Sequence, residues 1–220
     1  MLTNRERPGE ARRPTVDALL FDFGGVVVDI DFARAVAAWA QSAGVPPASV
    51  AARFSLDTHY EAHERGEIGG EQYFAALRDS LGLSLTDEQW LAGWNAIFLN
   101  PLPGIERLLN ALAPVLPLYL FSNTNAMHRA YWTARYCDTL ASFSAVYCSC
   151  DLGVRKPAPE AFRRVADLIG LPPARIAFFD DLAENAHGAR EAGLAGFQVS
   201  AIADVRRILT EELRLDVAFS

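Results

Sequence analysis

The sequence predicts an α/β fold, a parallel sheet between layers of helices, interrupted near its start by an all-helical insert. Three observations carry this expectation. Short apolar runs bounded by turn residues recur along the chain and read as strands buried on both faces. From residue 105 onward they alternate with segments of helical period, the pattern of right-handed βαβ units. Between residues 31 and 100, by contrast, apolar residues recur at helical spacing and no good strand run is present.

Residues 1–15 carry Arg5, Arg7, Arg12 and Arg13 among Glu6, Glu10, Pro8 and Pro14, with almost nothing to bury, and predict a disordered tail. The first strand is the run Leu19-Leu20-Phe21, which reaches Asp22 and breaks at Gly24-Gly25 before a second apolar run, Val26-Val27-Val28. At the carboxyl end of such a strand a side chain points into the crevice where open α/β sheets bind ligands. The glycines let backbone N–H groups approach whatever Asp22 touches.

Helices are expected over 32–40, 48–54, 72–81 and 87–98, separated by breaks at Gly44-Val45-Pro46-Pro47, Gly66, Gly69-Gly70 and Asn100-Pro101-Leu102-Pro103-Gly104. Thr86 is a natural N-cap, with Asp87 and Glu88 in the first turn behind it. The alternating region then predicts helices over 105–112, 126–136, 159–169, 183–192 and 202–213, with strands over 116–121, 145–148, 175–179 and 196–199. The organisation is thus a tail (1–15), a core (16–31 and 99–220) and a helical unit (32–98) set into the core.

The 220 residues, 51% hydrophobic and 21% charged, describe an ordinary soluble globular chain long enough for a sizeable core. A net charge of -7 argues against generic binding to nucleic-acid backbones. No run approaches the roughly 18–20 apolar residues of a membrane span. Cys137, Cys148 and Cys150 suggest no disulfide framework. The expectation is a cytoplasmic protein, a monomer or small homo-oligomer, acting on a small molecule.

Polar residues gather at the expected strand ends. Asp22 follows the first strand, Ser122 and Asn123 the second, and Asp180 and Asp181 the run Ala177-Phe178-Phe179. Arg155-Lys156-Pro157 presents a cation just before a helix. Singly each has a plainer reading: an Asp-Gly turn, a turn serine, a helix cap, a solvated loop lysine. Together they form a coherent set. Three carboxylates offer hard oxygen ligands suited to Mg²⁺. A hydroxyl, an ammonium and turn N–H groups suit the equatorial oxygens of a transferring phosphoryl group.

The motifs Phe21-Asp22-Phe23-Gly24-Gly25-Val26, Phe121-Ser122-Asn123-Thr124, Arg155-Lys156-Pro157 and Phe178-Phe179-Asp180-Asp181 resemble, in order, those of the haloacid dehalogenase superfamily of aspartate-nucleophile phosphatases. The helical unit lies where that family's first type of cap domain is inserted. Val28-Asp29-Ile30-Asp31-Phe32, His63-Glu64-Arg65-Gly66-Glu67-Ile68, Ser122-Asn123-Thr124-Asn125 and Asp151-Leu152-Gly153 further resemble the bacterial alpha-D-glucose-1-phosphate phosphatase subgroup. The resemblance implies a Rossmann-like three-layer α/β/α core with a helical cap. It implies that Asp22 attacks phosphorus and that Mg²⁺ is held by Asp22, the Gly24 carbonyl and Asp181, with Asp180 ligating through water or orienting Lys156. It implies phosphate binding by Ser122, by Asn123 and by the turn Phe23-Gly24-Gly25, and neutralisation by Lys156. Arg65 falls in the loop that reads substrates in capped relatives.

One departure is informative. Most phosphatases of the superfamily carry a second Asp two residues after the nucleophile, as general acid and base; here that position is Gly24. Glycine cannot carry a proton, a function worth ~10²–10⁴-fold. An anomeric oxygen leaves more readily than an ordinary alkoxide, so the expected substrate is an anomeric sugar phosphate. Candidate substitutes for the acid are His63, Glu64 and Glu67. Two other readings stand beside this one: a metal-independent hydrolytic dehalogenase, and a non-catalytic sugar-phosphate-binding module.

Overall fold

The computed structural model describes residues 15–215 and residue 217. The tail expected over 1–15 lies, Thr15 apart, outside the described residues. The chain opens with β1 (Ala18–Phe21) and β2 (Val28–Ile30), then runs through α1 (Phe32–Ala43), α2 (Pro47–Ala51), α3 (Thr58–Glu64), α4 (Gly70–Leu81) and α5 (Asp87–Asn95). It continues with β3 (Phe98–Pro101), α6 (Ile105–Leu112), β4 (Leu118–Ser122), α7 (Ala126–Arg135), α8 (Cys137–Leu140), β5 (Ala145–Cys148) and α9 (Ser149–Leu152). The last elements are α10 (Pro159–Ile169), β6 (Ile176–Asp180), α11 (Ala183–Glu191), β7 (Ala195–Gln198) and α12 (Ile202–Arg207), which runs on as a π-helical segment over Ile208–Glu212.

Five strands form one parallel sheet in the order β5-β4-β1-β6-β7. All four residues of β1 and all five of β6 are buried, as strands covered on both faces must be. Alternation divides their side chains between two apolar layers. Leu19, Phe21, Leu120 and Phe179 join Leu108 and Leu109 of α6 and Val205 of α12. Ala18, Leu20, Phe121 and Phe178 join Phe162 and Val165 of α10 and Ala189 of α11. The result is a Rossmann-like α/β fold with helices on both faces of the sheet.

The structure corrects the expectation that residues 31–100 hold no strand. Val28–Ile30 pairs antiparallel with Phe98–Pro101, and Leu102 N–H extends the pairing to Val27 O at 2.9 Å. Helix α5 accordingly stops at Asn95 and not at 98. Ile97 and Phe98 prolong the apolar pattern past the helix, and Pro101, read as a turn residue, sits at the end of an edge strand where its missing N–H costs nothing. The two-stranded ribbon carries the chain into and out of helices α1–α5.

Helix α5 meets α7 through a buried histidine. His128 stacks on Trp94, with centroids 4.3 Å apart, and meets the ring of Phe98 edge-on at 4.9 Å. Its Nε2–H donates to Trp94 O at 3.0 Å, and its Nδ1 accepts from the Asn125 amide at 3.2 Å, which requires the neutral ring. Burial pushes its pKa down to about 3, against the Trp94 carbonyl and with help from neighbouring His63. A depressed histidine stabilises the fold above its unfolded pKa, and that contribution is lost as pH falls from about 6.5 toward 3. At pH 5 the loss is about 2 kcal/mol. Chemical denaturation of wild type and His128→Gln at pH 7 and pH 5 is expected to show the larger drop in wild type.

Candidate active site

Sheet register assembles the site. Phe21 pairs with Leu120 on one side and with Phe179 on the other. Asp22, Ser122 and Asp180 therefore emerge together at the carboxyl ends of three adjacent parallel strands. That edge is where doubly wound sheets open a crevice. Lys156 enters from the loop between α9 and α10. Its Nζ lies 2.6 Å from Asp22 Oδ1 and 2.7 Å from Asp180 Oδ2, and only 1% of the side chain is exposed. The ammonium also lies 5.4 Å and 5.2 Å from the ring centroids of Phe121 and Phe178, a cation–π setting that favours its charge.

Each charged group is held by its neighbours. Asp180 is fully buried and accepts from Leu182 N–H at 2.9 Å and the Asn185 amide at 3.0 Å besides Lys156. The Asn123 carboxamide grips Lys156 by its main chain. It accepts from Lys156 N–H at 2.8 Å and donates to Lys156 O at 2.9 Å. Ser122 is buried, and the loop beyond it is pinned by Ser149, whose hydroxyl accepts from Thr124 N–H at 2.9 Å and donates to Thr124 O at 3.1 Å. In the turn after β1, Phe23 O accepts from Val27 and Val28 N–H, and Gly25 N–H is already given to Val28 O at 2.9 Å.

The electrostatics call for a cation. Ligand oxygens of Asp22, Asp180 and half-buried Asp181 all lie within 4.8 Å of one another. Burial pushes the Asp22 carboxyl up to about 7, with Lys156 pulling it down and Asp180 and Asp181 pushing it further up. Asp181 is raised as well, by burial and then by Asp180. Burial opposes the charge of Lys156, yet Asp180 and Asp22 leave its pKa above the ordinary lysine value. Three carboxylates thus face a single ammonium. Such a set fits a hard divalent ion of the Mg²⁺ type.

Two glycines shape the turn. Gly25 has φ +80°, and a Cβ there would fall 2.5 Å from Asp181 Oδ2. At Gly24 a Cβ would meet Ile30 Cδ1, the far end of that side chain, at 2.7 Å.

The remaining candidates lie on α3 and in the loop that follows it. Arg65 gives Nε and Nη2 to Glu67 at 2.7 and 3.0 Å and lies 3.5 Å from Glu61, within its own loop. Glu67 is exposed. His63 is buried, donates Nδ1–H to Ile68 O at 3.1 Å and stacks on Tyr73. Glu64 is buried between Tyr60 and Arg155. Among the described residues, Asn185, Ser149 and the pairing of Arg155 went unread in the sequence. Only Arg155, adjacent to Lys156, and Asn185, one turn into α11, carried a positional hint.

A Rossmann-like sheet with a carboxylate cluster and a buried lysine at its carboxyl edge defines the class, a hydrolase of the phosphoryl-transfer kind. Residues 16–193 match the haloacid dehalogenase-like hydrolase family, and the chain belongs to that family. It is 30% identical over 207 residues to the D-ribitol-5-phosphate phosphatase of Bacteroides thetaiotaomicron, covering 87% of this chain and 96% of the relative. The structure is similar (TM-score 0.73, 26% identity) to a HAD family enzyme of Bacteroides thetaiotaomicron in complex with magnesium and inorganic phosphate, covering 84% of this chain and 95% of that one. It shares its fold (TM-score 0.62, 20% identity, covering 90% and 84%) with an L-2-haloacid dehalogenase from Xanthobacter autotrophicus. The protein is an enzyme, a phosphatase. Among the described residues no helix is long and apolar enough to cross a membrane.

Proposed function

We propose that the protein hydrolyses a small sugar phosphate with Mg²⁺ and an aspartyl-phosphate on Asp22, and that the substrate is an anomeric phosphate of the glucose-1-phosphate kind. The observation that carries this reading is the Lys156 ammonium bridging Asp22 and Asp180 beside Asp181. In it, residues 16–31 and 99–220 form the catalytic core and residues 32–98 a cap over the crevice.

Asp22, Asp180 and Asp181, with the Gly24 carbonyl, would hold Mg²⁺, which supplies positive charge to offset the phosphoryl oxygens. Lys156 orients Asp22 through one carboxyl oxygen and neutralises part of the approaching anion. An Asp22 oxygen forms a bond to phosphorus as the bond to the ester oxygen breaks, and the departing alkoxide takes a proton from solvent water to leave as the alcohol. Water then attacks the same phosphorus, releasing inorganic phosphate and restoring the carboxylate. Ser122, Asn123 and the turn at Phe23, Gly24 and Gly25 line the phosphate side. Gly25 N–H would have to leave Val28 O to contribute. Arg65 reaches sugar hydroxyls once it exchanges Glu67 for substrate.

Gly24 has no side chain to deliver a proton beside Asp22, which supports the anomeric preference. The relative named for D-ribitol-5-phosphate supports a second reading, an acyclic polyol phosphate. Initial rates with glucose-1-phosphate, glucose-6-phosphate and ribitol-5-phosphate separate the two. The anomeric ester is expected to exceed the 6-phosphate by at least about tenfold in kcat/KM. Comparable values would defeat the anomeric reading, and a maximum for ribitol-5-phosphate would install the second. Phosphate release is expected to stop in EDTA. Chloride release from 2-chloropropionate in EDTA would point instead to a dehalogenase.

Gly25→Ala tests the metal set. The added methyl must displace the Asp181 carboxylate and sits at a positive φ. The Mg²⁺ concentration for half-maximal activity is expected to rise at least about tenfold.

A further inference from the structure

Among the described residues, the ion pairs that tie the cap to the core converge on Arg155. Its Nε donates to Glu64 Oε2 at 2.8 Å and its Nη1 to Glu61 Oε1 at 3.0 Å. Glu64 is 2% exposed, and its other oxygen accepts from the Tyr60 hydroxyl at 2.6 Å. Burial raises the Glu64 carboxyl, which Tyr60 and Arg155 counter. A charge buried this deeply is costly without its partner, so Glu64 and Arg155 act as a unit. Close by, the loop between α3 and α4 rests on core main chain. Gly66 has φ +68°, and a Cβ there would fall 2.4 Å from Cys150 O.

Arg155 is bonded directly to Lys156. The Lys156 main chain is gripped on its other flank by Asn123, in the loop that follows β4. The lysine therefore has two anchors, one in the core and one supplied by the cap. We infer that Arg155 is a positioning residue: docking of Glu64 and Glu61 on its guanidinium fixes the Lys156 loop, and with it the lysine between Asp22 and Asp180. Without Glu64 and Glu61, Arg155 loses its partners and the Lys156 main chain loses its cap-side anchor, while Asn123 still grips it and Asp22 and Asp180 still hold its Nζ. Displacements of about 1 Å at a reacting centre cost up to 10²-fold in rate. This rests on the phosphatase reading for its kinetic consequence and on geometry alone for the coupling.

The test uses Glu64→Gln, Arg155→Gln and the double variant in the full-length chain. Glutamine is nearly isosteric with Glu64. The introduced amide oxygen still accepts from Arg155 and the amide N–H donates to a Tyr60 hydroxyl turned to receive it, so the charge alone is lost. Each single variant is expected to lower kcat for p-nitrophenyl phosphate with Mg²⁺ by about tenfold or more, with KM changed far less. The double variant is expected to fall no further than the worse single, because one link is cut in each case. Arg155→Lys, which keeps the charge but loses the fork, is expected to recover part of kcat. Amide hydrogen exchange reads the coupling without catalysis. Glu64→Gln in the cap is expected to speed exchange over residues 153–158 of the core, and Arg155→Gln over residues 61–68. Multiplied kinetic losses, or exchange changes confined to the substituted side, would overturn the inference. A wild type that hydrolyses no phosphate ester would end the phosphatase reading, and the exchange data would still decide the coupling.

Discussion

Asp22→Asn is expected to abolish phosphate-ester hydrolysis, lowering kcat by at least ~10⁴-fold, the scale seen when a covalent nucleophile is removed. The amide has the carboxylate's shape, and its oxygen can still accept from Lys156, whose Nζ lies 2.6 Å from Asp22 Oδ1. It is no nucleophile toward phosphorus. Stability is expected to move the other way. Burial and the neighbouring Asp180 and Asp181 raise Asp22 to about 7 in spite of Lys156. A raised carboxyl contributes stability that is present below its unfolded value near 3.9 and is lost as pH rises through 7. The variant has no such group. Without metal, Asp22→Asn should therefore gain on wild type as pH rises from 4 to 8, measured as ΔTm in EDTA. A dead enzyme that is relatively more stable at neutral pH marks a group held for chemistry at a cost to the fold.

Lys156→Met is expected to have the second largest effect, on activity and stability together. The methionine fills similar volume between Phe121 and Phe178 but leaves Asp22 and Asp180 facing each other, with Asp181 beside them. Removing one partner of a buried ion pair costs about 3–5 kcal/mol. The sign with pH follows from Asp22 and Asp181, whose carboxyls are already raised and lose the pull of Lys156, so stability is retained at low pH and lost as pH increases. Thermal melts in EDTA are expected to give a higher Tm at pH 5 than at pH 8 for Lys156→Met, with a smaller slope for wild type. Added Mg²⁺ is expected to restore part of the deficit at pH 8 by binding linkage. A flat profile, unmoved by Mg²⁺, would mean that the three carboxylates do not share charge as the distances indicate.

The residues that were legible in the sequence share one property. Asp22, Ser122 and Asp180 each terminate a buried-type strand, and parallel strands that terminate together share an edge. A local pattern was enough to gather them. Lys156 was legible by its place before a helix and by its motif, though not its 1% exposure between two carboxylates. What escaped depends on partners distant in the chain. The Val28–Ile30 pairing with Phe98–Pro101 crosses the whole helical unit, and no window of sequence contains both strands. His128 lies in Ala-Met-His-Arg-Ala-Tyr-Trp, where no apolar period marks it as buried; Trp94 and Phe98 bury it from another element. Arg155 reads as one more loop cation until α3 is folded against it. The missing acid at Gly24 was plain, but the close approach of Ile30 Cδ1 to that position required the turn to be closed.

The central claim is a covalent phosphoryl group on one carboxylate, and chemical trapping tests it most directly. Enzyme quenched during turnover of a phosphate ester with Mg²⁺ and then reduced with tritiated borohydride should yield labelled homoserine at position 22 in the digested peptide, and no label in Asp22→Asn. Label at another side chain, or an unmodified Asp22 under conditions of steady turnover, would contradict the mechanism.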